Sequence, residues 1–532
     1  MRCLSLLILL LLAASARAGE LKLASLFTDH AVLQQGMDLP VWGTAGAGEK
    51  VIVTFASQTR ETTAGSDGRW SVTLAPLTPR DAGDLTARGS STAITLHDVV
   101  VGEVWVCAGQ SNMELSMRFQ TDLNNELKKA DVPPLRLFHE QRAGSDTPLS
   151  DCIGDWQQCN AKSVAEFSAV AYYFGKSLHE SLNVPVGVIE CAWSGSAIET
   201  WISAPSLAAD TDGPAIVERW KKAAADYPAL MDQYRRDVAN YDIAVAKAKA
   251  DKTKPPPEPM TPTHKEGLEP ANAAFMVDQA VYHYPVQHPS ALFNGMIAPL
   301  APAAVRGVAW YQGEGNFDRP LQYKRLLPLM LRDWRSAWRR EDLPFLIVQL
   351  PIIGRKEAPK VFGQDSFAPI REAQLLAATS ASHVALTVNI DNGVDVDLHP
   401  KDKRPVGQRL SVAARAMVYG EKIPHIGPRL QSCSVEGDHL RLKLTDDGGG
   451  LIAGAGGKVT GFIIAGADKV WQPADATIDG EDILVRSAAV ATPVAARYAW
   501  DVYGGCDLKD KAGLLASPFR TDNWPQRGED KK

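Results

Sequence analysis

Three times this chain runs through a short apolar segment, stops on small residues and then sets polar side chains in a turn. Glu103 to Cys107 leads into Gly109-Gln110-Ser111-Asn112-Met113, Val184 to Glu190 into Trp193-Ser194-Gly195-Ser196-Ala197, and Val305 to Ala309 into Trp310-Tyr311-Gln312-Gly313-Glu314-Gly315-Asn316. Segments this short and this apolar fit strands of a parallel sheet, which is covered on both faces. Helical stretches, including Phe167 to Ser181 and Tyr323 to Arg340, lie between them. The alternation predicts an α/β core with a parallel sheet, extending over residues 99–425. In such a sheet the chemistry belongs at the carboxyl ends of the strands.

Composition narrows the function classes. The 532 residues are 45% hydrophobic and 22% charged, which excludes a disordered or low-complexity chain. Lys plus Arg total 56 against 62 Asp plus Glu, a net charge of -6. Without a basic excess there is no electrostatic footprint for nucleic acid.

At the start, Arg2 precedes an apolar run from Leu4 to Ala14, and Ala16-Arg17-Ala18 supplies small residues for cleavage. Residues 1–18 therefore read as a secretory signal peptide, and the mature protein as periplasmic or extracellular. The run is too short to span a bilayer and no later stretch reaches that length, so no membrane anchor is expected. The absence of an Asn-x-Ser/Thr acceptor from the mature chain favours a bacterial exported protein.

Six cysteines remain beyond the leader: Cys107, Cys152, Cys159, Cys191, Cys433 and Cys506. Export permits disulfides. Cys152 with Cys159 would close a short loop, Cys433 with Cys506 would staple the C-terminal region, and Cys107 and Cys191 are either bonded neighbours or buried thiols. No CxxC or Cys/His cluster calls for a metal.

Both flanks of the core read differently. Residues 19–98 hold short strands such as Val51 to Phe55 and Trp70 to Leu74 between Gly-rich turns, a β-sandwich pattern. Residues 426–522 return to short strands, among them Leu440 to Leu444 and Val459 to Ile464, and read as a second β domain before a polar tail at 523–532. Within the core, residues 205–280 interrupt the alternation with a helical hairpin or arm and then prolines 255–257, 259 and 262, which forbid a continuous helix. No coiled-coil repeat or isolated apolar patch sets an oligomeric state.

The strand-end turns carry the chemistry. Ser111, at a strand-to-helix turn, can expose its hydroxyl above the sheet as a nucleophile; a lone serine there would otherwise read as an N-cap. Gly195 permits close backbone approach to a developing oxyanion. Asn316 can donate a carboxamide hydrogen bond to it, with Gln312 a competing donor, and Gln110 and Glu314 are supporting candidates. A fourth element, Asp391-Asn392-Gly393-Val394-Asp395-Val396-Asp397-Leu398-His399-Pro400, sets a histidine among carboxylates. His399 can accept the serine proton while an acid fixes its tautomer. Read instead as a metal loop, Asp391, Asp395 and Asp397 lack the regular donor spacing and the closing carboxylate.

These four blocks together resemble the sialate O-acetylesterase branch of the SGNH/GDSL hydrolase superfamily. Ser111 matches the nucleophile of its G-Q-S-N-M block, Gly195 and Asn316 match the oxyanion glycine and asparagine, and His399 matches the base of its D-x-H-P block. Lys403 and Arg409 flank that histidine as in the branch. "SLFTDHAVLQQGMDLPVWG" and "HPSALFNGMIAPLAPAAVRGVAWYQGEGN" extend the likeness over nearly the whole mature chain. The resemblance implies a three-layer α/β/α core, hydrolysis of O-acetyl esters on a sugar, and no cofactor. It departs from the wider superfamily where Val396 replaces an acid three residues before the histidine; Asp397, two residues before, is the expected orienter, with Asp395 and Asp391 as alternatives. Acetylated xylan, xyloglucan and mannan fragments are the competing substrates, and a noncatalytic carbohydrate-binding protein is the competing class. A glycosidase would need two carboxylates flanking a cleft rather than Ser111.

Overall fold

The computed structural model describes residues 19–259, 287–353, 367–393, 397–445, 447–454, 457–500 and 505–526. The expected signal peptide, the far end of the 205–280 insertion, Asp395 and the end of the tail lie outside the described residues.

A mixed sheet of eleven strands organises the molecule. Its centre is formed by β1 (Ala93–Gly109), β2 (Val132–His139), β3 (Trp156–Cys159), β4 (Val186–Ala192), β5 (Gly307–Tyr311), β6 (Phe345–Val348) and β7 (Val384–Thr387), in the order β3-β2-β4-β1-β5-β6-β7. All neighbours are parallel except the edge strand β3. Every residue of β4, β5, β6 and β7 is buried, which is why these strands are apolar on both faces rather than alternating. The strand segments expected from the sequence stand at β1, β4 and β5.

Helices cover both faces. On one, Phe174 of α2 (Ala169–Leu182) packs edge-on against Trp105 of β1, with ring centroids 5.3 Å apart. The Ser168 side chain caps this helix by accepting from the Ala171 N–H, and Asn183, left-handed at φ 54°, ends it. On the other face, Trp334 of α4 (Pro320–Ala337) meets Trp310 of β5 at 5.6 Å.

The N-terminal region is not separate from this sheet. Lys50–Phe55, Gln58–Thr63 and Gly83–Arg88 pair antiparallel with one another and with the first half of β1, whose second half runs parallel to β4 and β5. Strand Arg69–Leu74 alternates exposed and buried residues, the mark of a sheet with one wet face. One continuous apolar core joins the N-terminal strands to the central sheet. The C-terminal region has a second core around Leu440, Leu442, Ile464, Ile483, Val485 and Tyr498, enclosed by antiparallel sheets of five and four strands. The stretch Val459 to Ile464, expected as one strand, is broken at Thr460-Gly461 into Lys458–Val459 and Phe462–Ala465, which belong to different sheets.

The insertion opens with a short helix, Ala204–Ala209, and continues as one long helix, α3 (Gly213–Ala250), with Pro228 inside it; the chain from Thr253 to Pro259 is coil, as its prolines dictate. All six described cysteines are free thiols. Register explains the case of Cys107 and Cys191: Cys107 pairs with Glu190 and Cys191 with Ala108, so the two sulfurs point to opposite faces of the sheet. Among the described residues no helix is long and apolar enough to cross a membrane.

The last strand, Phe519–Arg520, is fixed beside Ala495–Tyr498 by a bidentate pair in which Arg497 donates to Asp522 at 2.7 and 2.8 Å, with side chains 3% and 1% exposed. Asp522→Ala removes the carboxylate from this buried ion pair and is expected to cost about 3–5 kcal/mol, read as a lowered urea midpoint for loss of the C-terminal sheets.

Candidate active site

β1 ends at Gly109, where φ is 146° and a side chain would drive a Cβ to 2.1 Å from the Tyr311 carbonyl of β5. Only glycine lets the two strands close at this point. The chain then turns into α1 (Ser111–Glu114), a single helical turn with Ser111 first. His399, 288 residues later, brings its Nε2 to 2.8 Å from the Ser111 Oγ. That is hydrogen-bond distance, with the hydroxyl donating when the imidazole is neutral. Burial lowers the pKa of His399 below the usual histidine value; nearby Lys403 lowers it further, and Asp397 opposes both. The ring therefore stands as the free base at neutral pH.

The carboxylates of the histidine loop are placed as follows. Asp397 accepts from the backbone N–H of His399 at 2.9 Å, so it shapes the loop and acts on the ring through its charge. Among the described residues no carboxylate bonds the imidazole Nδ1. Asp391 is engaged by Arg409 through two 2.7 Å bonds, away from the ring. No cluster of metal-ligating side chains occurs among the described residues.

The expected oxyanion groups converge at the same strand ends. Gly195 has φ 76°, a left-handed conformation that favours glycine. Its N–H and that of Ser111 have no acceptor among the described residues. Asn316 is fully buried; its Nδ2 donates to Glu199 at 2.8 Å, and its Oδ1 accepts from the Ile198 N–H and from Gln312 Nε2, both at 2.9 Å. Gln312 is thereby a brace for Asn316 rather than a rival donor, and it also donates to the Ser196 carbonyl at 3.1 Å. The Gln110 side-chain oxygen accepts from the N–H groups of Gly313 and Gly315, pinning the third turn to the first.

Sequence reasoning passed over three groups. Asn112 donates to Glu314 at 2.5 Å and to the Leu398 carbonyl at 3.0 Å, while its oxygen accepts from Lys403 Nζ. Lys403 is wholly buried, and desolvation brings its pKa down to about 7 despite the nearby acids. Burial raises that of Glu314. Glu114, partly buried, accepts from the Ser194 N–H at 2.8 Å and from its hydroxyl, and pairs with Arg142, which lies over the Trp193 ring. Glu199 is the third. A single carboxylate inside an otherwise uncharged block, as in Ser196-Ala197-Ile198-Glu199-Thr200-Trp201, was the available signal.

The assembly is a hydroxyl held on a neutral imidazole, beside unpaired N–H groups and a buried carboxamide. Such a set can attack a carbonyl and stabilise the resulting oxyanion.

Comparison with known proteins agrees with this chemistry. A family model described as "Carbohydrate esterase, sialic acid-specific acetylesterase" matches residues 101–248. The sialate O-acetylesterase of Rattus norvegicus is 27% identical, the alignment covering 99% of both chains, and that of Homo sapiens is 26% identical over 97% of this chain and 96% of the human one. Among solved structures, a carbohydrate acetylesterase from Xanthomonas citri is 32% identical with a TM-score of 0.75, covering 94% of this chain and all of that one. The chain belongs to the sialate O-acetylesterase-like family of carbohydrate esterases.

Proposed function

We propose that this chain is a serine esterase that removes O-acetyl groups from sugars, and that Ser111 and His399 carry the reaction. The 2.8 Å contact between Ser111 Oγ and His399 Nε2 is the observation on which this reading rests. Ser111 Oγ attacks the acetyl carbonyl carbon as His399 takes its proton. The N–H groups of Ser111 and Gly195 and the Asn316 carboxamide stabilise the oxyanion. Collapse of the tetrahedral intermediate breaks the bond to the sugar oxygen, which leaves with the proton from His399, and acetyl-Ser111 remains. Water, deprotonated by His399, then attacks the acyl carbon; the bond to Ser111 Oγ breaks, His399 returns the proton to that oxygen, and acetate leaves. Asp397 assists by fixing the His399 backbone and by its charge. None of these steps calls for a cofactor.

The fold reading that accompanies this function is an SGNH-type three-layer α/β/α core at 99–425, with a β-sandwich-like region at 19–98 that is continuous with it through β1 and a β-sandwich-like domain at 426–522. The leader at 1–18 would direct the enzyme to the periplasm or beyond. Helices on both faces of the parallel sheet support the first part, and the sequence pattern of the leader supports the second.

The test is acetate release from acetylated sialic acid, xylo-oligosaccharides, xyloglucan and mannan fragments. Ser111→Ala and His399→Ala are each expected to keep the fold and lower kcat by at least about 10³-fold, and Asn316→Ala by about 10²–10³-fold. Full turnover in the serine variant would sink the mechanism, and the best wild-type substrate in the panel assigns the glycan.

His399 must be neutral to accept the proton, so kcat/KM falls as pH drops through its pKa. Because that pKa is depressed, the acid limb is expected below the ordinary histidine midpoint of about 6.5. Lys403→Met removes one of the charges that depress it and should move the limb to higher pH, measured in kcat/KM against pH with circular dichroism as the fold control.

A further inference from the structure

The insertion helix α3 touches the oxyanion side of the site at two consecutive residues. Arg219 donates through Nη2 to Glu199 Oε1 at 2.9 Å and to Gln322 at 3.4 Å. The other Glu199 oxygen, Oε2, is the acceptor for Asn316 Nδ2. Arg319, from the turn just before α4, reaches Glu199 Oε1 at 3.4 Å. The Glu199 side chain is 2% exposed and the Arg219 side chain 35%, so the cation enters from the rim while the carboxylate is sealed inside. Next along the helix, Trp220 lies against His288, with centroids 5.0 Å apart. Gln287, beside that histidine, donates to the Gly195 carbonyl at 3.0 Å.

A buried carboxylate behind an oxyanion donor is a liability, since it repels the negative charge that builds in the transition state. Two guanidiniums offset it here. Burial would raise the Glu199 pKa, yet Arg319 and Arg219 together hold it below the usual value, so the charge is present and countered.

Resting on the esterase reading above, we infer that Arg219 is a positioning residue: the insertion, through Arg219 and Glu199, orients Asn316 and cancels the charge behind it, so that α3 is part of the catalytic apparatus rather than only a cleft wall. Arg219 acts through Glu199 and Asn316 and need not touch the substrate.

The experiment follows hydrolysis of 4-nitrophenyl acetate, too small to read a distant wall, and the rate at which a fluorophosphonate labels Ser111. Arg219→Gln should lower kcat and slow labelling by about tenfold, with KM within about twofold, and Arg219→Lys should stay within about threefold of wild type. Glu199→Gln removes the charge while leaving an acceptor for Asn316, so the double variant R219Q/E199Q should recover most of the loss. A role confined to packing would instead make the double variant worse than either single one. Unchanged kcat in R219Q, a change in KM alone, or no recovery in the double variant would each overturn the inference. If R219Q fails to fold, Arg219→Ala takes its place in the same paired design: a loss of about tenfold in R219A that E199Q restores supports the charge argument, and unchanged kcat in R219A, or a loss that E199Q does not restore, overturns it. A wild type that neither turns over nor labels, or that does both equally well as S111A, removes the esterase reading itself.

Discussion

The Asn112 amide bonds three residues that lie 202, 286 and 291 positions from it in sequence. With Glu314 and Leu398 as acceptors and Lys403 as donor, it fixes the nucleophile turn, the oxyanion turn and the histidine loop in one buried network. Each such bond contributes only about 1 kcal/mol net to stability, but losing a partner inside the protein exposes the full desolvation cost of what remains. The network is therefore worth more as a constraint on geometry than as a source of stability. The Ser111–His399 distance depends on it, because neither residue is anchored to the other by local sequence.

The histidine loop is held from the far side as well. Ile390, at its start, belongs to the C-terminal apolar core, and Cys506 of that region contacts the Ile390 carbonyl at 3.7 Å. Arg409 of the helix Arg404–Met417, meanwhile, binds the Val388 carbonyl, Asn389 and Asp391. The loop that presents the base is thus clamped between the central sheet, a helix and the C-terminal sheets. A small movement of that clamp would be felt at the imidazole.

Much of this was legible in the chain because it depends on local pattern. Apolar strands ending in small polar turns mark where a parallel sheet puts its chemistry; Ser111 could be named from such a turn, and His399 from a separate loop rich in carboxylates. What could not be read depends on long-range pairing. Asn112, Glu114 and Glu199 stand beside recognised positions, yet their partners come from other segments, and no periodicity encodes them. The role of Asp397 is similar: spacing brings a carboxylate near His399, but only the loop conformation decides that it meets the backbone N–H instead of the ring. Among the cysteines, register settles Cys107 against Cys191, because a one-residue offset across parallel strands turns the two side chains to opposite faces.

β1 runs without interruption from a strand pairing with the N-terminal β region to the glycine before the nucleophile, seventeen residues in all. A backbone of that kind cannot be cut at a linker, because there is none. The N-terminal region is consequently no detachable module: excising it would cut the strand that delivers the nucleophile turn and open the core that both share.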